Sequence, residues 1–223
     1  MDTHALWAYL HILLFVYWLG ADAGLWLAMS FIRNERLSFE TRSTLIRLAF
    51  YIDLFPRISF ALILPVGLHL ARNLDLAPIG PGLLAAAWIV GIAWSALHLA
   101  VVAWKGRPAA RRLLAVNKVY EALAGALCIG IGIRSLATGA PIEAGWFALK
   151  ILLFGTIFWI ILAIDTVFQP FTTLLRMGPQ GSTPQAEARV RRLTGQTMAW
   201  AVFMYAVVAL VAFLGRVKPS WSP

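Results

Sequence analysis

Apolar residues run through this chain in long, nearly unbroken blocks. A soluble helix would show a spaced apolar stripe, and a half-buried strand would alternate. Six blocks are long enough to cross a bilayer core of roughly 30 Å, which takes about 20 residues of helix. They cover residues 5–31, 54–71, 81–104, 116–137, 144–168 and 197–214. The pattern predicts an all-α fold: a single transmembrane domain, a polytopic bundle of six transmembrane helices. No block alternates, so a membrane β-barrel is not predicted. The first block reads as a span and not as a signal peptide, because it lacks a positive leading region, is too long and contains Asp22.

Composition agrees with this. The chain is 61% hydrophobic and 13% charged, against about 45–50% and about 25% in soluble domains. A soluble enzyme, a disordered chain and a disulfide scaffold are excluded, and the single cysteine, Cys128, permits no internal disulfide. The net charge of +9 would suggest nucleic acid in a soluble protein, but its placement gives a different reason for it. Arg33, Arg36, Arg42 and Arg47 follow the first span. Lys105, Arg107, Arg111, Arg112 and Lys118 follow the third, and Arg176, Arg189, Arg191 and Arg192 follow the fifth. The opposite side holds Arg72, Arg134, Arg216 and Lys218. The positive-inside rule then puts the three basic segments in the cytoplasm and both termini on the non-cytoplasmic side, and no nucleic-acid partner is expected.

The longest connection, residues 169–196, contains Gly178-Pro179 and Gly181-Ser182-Thr183-Pro184 before a basic amphipathic stretch from Gln185 to Arg192. It is expected to be a solvated loop with a helix lying at the lipid headgroups, or else a docking site for a cytoplasmic partner.

Ionisable side chains inside spans are costly and usually face a protein interior or a cavity. Here they are His11, Asp22, Arg57, His69, His98, Lys150 and Asp165, with Asp53 and Glu121 near span ends. They sort by depth into two layers. His11 and Lys150 each lie about six residues, or ~9 Å, inside spans that start outside, and His69 lies near the outer end of its span. Asp22, Arg57, His98 and Asp165 fall in the inner half. His11, Phe15, Trp18 and Asp22 share one helical stripe, as do Lys150, Phe154, Ile157, Ile161 and Asp165. The run Leu10–Phe15 echoes Leu149–Phe154 at five of six positions, which aligns His11 with Lys150.

Neutral imidazole ligates iron or copper, and membrane histidines commonly hold haem b. A desolvated lysine can ligate once neutral. Against these readings, a histidine can be satisfied by a neighbouring helix and Lys150 can snorkel. His98, one turn from Trp94, reads as packed or hydrogen-bonded. Asp53 and Arg57 stand i, i+4, a spacing that permits an ion pair, with Arg57 also able to reach Asp22 or Asp165. A proton path or an anchor for an anionic substrate group is the functional alternative. Pro65 is expected to kink span two and free a carbonyl one turn before His69. Trp7, Trp146 and Trp221 suit an outer aromatic belt and Trp104 an inner one, while Trp18, Trp88, Trp94, Trp159 and Trp200 lie deeper. Gly125, Gly130 and Gly132 read as small-residue helix contact.

These residues resemble a known group. Leu10-His11-Ile12 followed by Tyr17-Trp18-Leu19-Gly20, the run Leu64-Pro65-Val66-Gly67-Leu68, and Gly145-Trp146-Phe147-Ala148-Leu149-Lys150 look like the HemJ-type protoporphyrinogen oxidases and their CopD-like relatives. The resemblance covers about half the chain. It implies that His11 and Lys150 hold haem b. This chain differs in having two additional spans, the third and fourth, and Thr194-Gly195-Gln196-Thr197 where an Asn-Glu-x-Pro-like segment would open the last helix.

The expected function is that of a haem b-binding membrane protein in redox chemistry or electron transfer, with porphyrinogen oxidation among its reactions. His11 is the expected axial ligand, Lys150 or His69 stands opposite, and Phe15, Trp18 and Phe154 pack the macrocycle. Asp22, Arg57 and Asp165 would serve protons or a substrate carboxylate. With no flavin or nucleotide motif present, a membrane quinone or a partner dehydrogenase would exchange the electrons. The rival expectations are a transporter for a metal ion or small anion, and a non-catalytic anchor or assembly subunit. Copper is disfavoured, since the five methionines show no MxxxM clustering. A bacterial inner membrane is the expected setting, and homo-oligomerisation is left open.

Overall fold

The computed structural model describes residues 3–167 and 183–220. Its helices are α1 (Thr3–Ile32), α2 (Phe39–Ile52), α3 (Leu54–Asn73), α4 (Pro81–Ala103), α5 (Pro108–Thr138), α6 (Gly145–Val167) and α7 (Pro184–Val217). Counting α2 and α3 together, six are long and apolar enough to cross a membrane. The chain is therefore an all-α polytopic membrane protein.

Counting α2 with α3, three spans begin as helix well before the apolar blocks do, and Arg42, Arg47, Arg111, Arg112, Lys118, Arg189, Arg191 and Arg192 lie on these helices and not in loops. The reason is local. Ser38 accepts a hydrogen bond from the Thr41 amide and Thr183 one from the Ala186 amide, each at 3.2 Å. Pro108 and Pro184 stand at the first helical positions, where a missing N–H costs nothing. Between these starts and the spans nothing breaks α5 or α7, and α2 passes into α3 through the single turn residue Asp53.

The stretch Gln185–Arg192 is accordingly the first part of α7 and not a separate headgroup helix. Glu187 and Val190 are buried against the ends of α1 and α2. Arg42 of α2 donates to both oxygens of Glu187, at 2.7 and 2.8 Å, and through Nε to the Ile32 carbonyl that ends α1. Arg191 pairs with Glu35 nearby. Lys105 lies 3.8 Å over the Phe50 ring. The basic segments thus collect at one end of the bundle. Residues 168–182, with Arg176, Gly178-Pro179 and Gly181-Ser182, and Trp221 lie outside the described residues.

The spans close a ring, each packing on the next in chain order and α7 returning to α1. Packing is broad along α1–α3–α4 and along α5–α6–α7, and sparse between α4 and α5 and between α7 and α1. The bundle therefore consists of two three-span halves meeting at two seams. Phe60 sits at the centre, its ring 4.9 Å from Trp18, 5.5 Å from Trp94, and 5.1 and 4.6 Å from Phe154 and Phe158.

Small residues set the closest approaches. A Cβ on Gly132 would stand 2.6 Å from the Leu152 Cβ, and one on Gly155 would stand 2.7 Å from the Gly125 carbonyl. Gly130 meets nothing, so the small-residue contact involves Gly125 and Gly132 only. α3 continues as one helix through Pro65. Proline withholds its hydrogen bond from the carbonyl four residues back, that of Ala61, and α4 closes over this carbonyl at Gly91. The space near Pro65 is used for packing. Trp146 is buried beside Phe147 instead of joining an outer belt, and Trp159 and Trp200 are exposed on the bundle's outer surface.

Gly132→Leu and Gly155→Leu should each destabilise the bundle by about 1–3 kcal/mol, the usual cost of overpacking. Gly130→Leu should be neutral. Thermal unfolding in detergent, read by loss of the monodisperse peak, checks both.

Candidate functional site

Two helical spacings and one long-range pair build the site. Asp53 ends α2 and Arg57 lies one turn into α3, so the Arg57 Nε donates to Asp53 at 2.6 Å. Asp165, near the end of α6, takes the other two guanidinium nitrogens at 3.0 and 2.7 Å in a bidentate pair. The expected i, i+4 pair is formed, and of the two further partners considered it is Asp165 that Arg57 reaches. Nε, Nη1 and Nη2 of Arg57 are thus each engaged by a carboxylate oxygen.

These residues line a cavity of about 600 Å³ in the half of the bundle nearer the basic segments. Asp22, His98 and Glu121 line it too, and each is at most 9% exposed. Asp22 comes from the predicted α1 stripe, where Trp18, one turn earlier, leans on its carboxylate. Glu121 is joined to a chain of hydrogen bonds. The Trp94 indole donates to the Asn117 Oδ1 at 2.7 Å, and the Asn117 amide donates to the Glu121 Oε1 at 2.9 Å. The other oxygen of Glu121, Oδ2 of Asp22 and Nε2 of His98 are buried with no hydrogen-bond partner. Buried polar atoms are normally paired, so three unpaired ones around a single cavity mark a place built for something else.

The charge count is uneven. Four carboxylates line the cavity with the Arg57 guanidinium: Asp22 and Glu121 are buried, Asp165 is largely so, and Asp53 is partly exposed. Arg111 and Lys118 line the cavity closer to the basic end, where Arg111 is exposed and Lys118 half-buried. Lys105, on the loop after α4, is held below the ordinary lysine value by its burial and by nearby Arg47.

The outer layer is arranged differently. Of its three residues, none lines this cavity. His11 fits against Gly67 of α3, keeps a buried, unpartnered Nδ1, and lies within electrostatic reach of Lys150. Lys150 packs against Gly215 of α7. His69 is engaged elsewhere, stacked on Trp7 at 3.9 Å and accepting a hydrogen bond at Nε2 from the Trp88 indole at 3.0 Å. His11 and Lys150 therefore lie within electrostatic reach of each other while packing on different helices, and His69 lies in a separate aromatic group. Phe15 lies half-buried against the central cluster, and Trp18 and Phe154 lie within it. Among the described residues no group of three or more His, Cys, Asp or Glu side chains is arranged to hold a metal ion.

Sequence reasoning placed Asp22, Arg57 and Asp165 correctly in one layer but passed over Asp53, His98 and Glu121 as site residues. A span starting near residue 116 leaves Glu121 at the interface, whereas α5 starts at Pro108 and buries it. Comparison with protein-family models, with curated proteins and with solved structures gives no match.

Arg57→Ala leaves Asp53 and Asp165 facing each other without a counter-charge, and removing one side of a buried pair typically costs about 3–5 kcal/mol. Its melting point in detergent should fall sharply, with part of the loss recovered when Asp53→Asn and Asp165→Asn are added. An unchanged melting point for Arg57→Ala would remove the pair's structural role.

Proposed function

We propose that the chain is a membrane transporter whose cargo is a cation, bound in the inner cavity and exchanged against protons. The reading rests on Asp22, Glu121 and His98, three buried residues of the cavity wall that each carry an unsatisfied atom, while Arg57, the innermost cation among the described lining residues, is already matched twice. An unpaired carboxylate away from water is stabilised by a cation or by a proton. The same side chains can hold either, and that alternation is the basis of exchange. The preference is for cations, because carboxylates outnumber Arg57 in the lining and two of them already hold it.

The architecture supports this reading. Helix packing is broad within each half, while polar contacts cross between them: Arg57 to Asp165, Trp94 to Asn117 and Arg42 to Glu187. The two halves traverse the membrane in opposite senses, an arrangement that secondary transporters use, with the site where the halves meet. Beyond the cavity floor, Trp18, Phe60, Trp94, Phe154 and Phe158 stand between it and His11 and Lys150, as a closed outer gate would. A bacterial inner membrane is the setting we assign to it.

Proteoliposomes loaded acidic inside test the proposal. Sodium, potassium, manganese or tetraphenylphosphonium is added outside while an internal dye reports pH. At least one cation should drive proton efflux, and Asp22→Asn and Glu121→Gln should lower its rate tenfold or more. Efflux with none of the four, or efflux unchanged by both substitutions, would overturn the assignment.

A second reading is favoured by one observation, the buried and unpartnered Nδ1 of His11 near Lys150. In it the two residues hold haem b, as the family resemblance implies, and the haem passes electrons to a quinone or a partner dehydrogenase. His69, already paired with Trp88, does not fit as the second ligand. Protein expressed with ample haem should then show a Soret band and a reduced α-band that His11→Ala abolishes. A colourless preparation ends this reading without touching the first.

A further inference from the structure

Resting on the transporter reading, we infer that the cargo is a hydrophobic organic cation, an amine or quaternary ammonium with an apolar body, and not an inorganic ion. Size is the first argument. A cavity of about 600 Å³ holds some twenty times the ~30 Å³ share of one water in the liquid. An inorganic cation with a few ligands would leave most of it empty. The volume lies within the ~300–1,000 Å³ of sites that take small organic molecules.

The wall is the second argument. A site for an inorganic cation is walled with oxygen ligands at short, regular distances. Here the carboxylates of Asp22 and Glu121 are set among Trp18, Trp26, Phe50, Phe60, Trp94 and Tyr205. Aromatic faces carry negative quadrupoles that attract a diffuse cation, and ring edges pack an apolar body. An ammonium beside Asp22 would meet Trp18 one turn away and Tyr205 from α7, which lies in the electrostatic field of Asp22.

The third argument is burial. Asp22, His98 and Glu121 are all at least nine-tenths buried, and each carries one buried polar atom without a hydrogen-bond partner. A fully hydrated inorganic ion would need water carried to those depths. An organic cation brings apolar surface with it and loses little hydration. Arg111 and Lys118 repel all cations alike and so affect the rate of entry more than the choice of cargo.

Equilibrium dialysis on the purified full-length protein tests this with four probes: tetraphenylphosphonium, its neutral relative triphenylphosphine oxide, sodium and manganese. Saturable tetraphenylphosphonium binding is expected. Asp22→Asn or Glu121→Gln should weaken it tenfold or more, and Trp18→Leu several-fold, with each variant confirmed monodisperse. Equal binding of triphenylphosphine oxide would show a site that reads shape and not charge, and would overturn the inference. Binding of sodium or manganese alone, with matching proton efflux, would overturn it while leaving the transporter reading standing. Absence of both binding and efflux for every probe would remove both.

Discussion

A guanidinium at membrane depth has to be neutralised by side chains, because lipid offers no counter-charge and no water. Arg57 meets this constraint with Asp53 one turn before it and Asp165 from across the bundle. Much else follows from that solution. The bidentate pair fixes α3 against α6 in depth and rotation, which brings Phe60 onto Phe154 and Phe158. α6 is locked to α5 in turn by the close approaches at Gly125, Gly132 and Gly155. Once Asp53 and Asp165 are committed to Arg57, Asp22 and Glu121 are left without a cationic partner at the same level. The cavity and its charge are consequences of how one arginine is satisfied.

The sequence made the spans legible because lipid imposes a crude rule, apolar residues over a set length, and this chain obeys it. The depth of each ionisable group could be counted along the helix, so the inner layer of Asp22, Arg57 and Asp165 emerged correctly. Two kinds of information were out of reach. One was where helices end. The amphipathic, basic segments before spans two, four and six look like loops by hydropathy, yet they are capped helix. The signals that find them are local: Ser38 three residues before Thr41, and the Arg107-Pro108 and Thr183-Pro184 pairs. The other was rotation between helices that are distant in sequence. Nothing in the sequence says that Trp88 will reach His69, that Trp146 will turn inward, or that Asp165 and not Asp22 will take Arg57. Such choices are made by packing, at Gly91 over Ala61 and at Gly155 over Gly125, and a single sequence carries no record of it.

The aromatic layer gives the two polar layers separate lives. His11 and Lys150 are two bases in a dry setting on one side of it, and the carboxylates lie around a cavity on the other. The sequence suggested the opposite, since each stripe joined a base to a carboxylate along one helix. Among the described residues the side chains packed between them are mainly aromatic and aliphatic, with Tyr120 and Tyr205 at their edge. A link between the layers requires the rings to move, and rings borne by both halves move when the halves do.

On the proposed transporter reading, motion of the halves would be tied to the cavity's contents. The halves are joined less by apolar packing than by polar contacts at the seams, and these contacts draw on the residues that line the site. Asp165 holds Arg57 across the seam and is a cavity wall. Asn117 takes the Trp94 hydrogen bond across the seam and supports Glu121. A cation in the cavity competes with Arg57 for carboxylate, and a ring-bearing body competes with Trp94 for space. Occupancy and seam strength are then two views of one balance, since a ligand shifts an equilibrium only by binding one state better than the other. On that reading the differential contact would come from Asp165, which holds Arg57 across the seam and also lines the cavity.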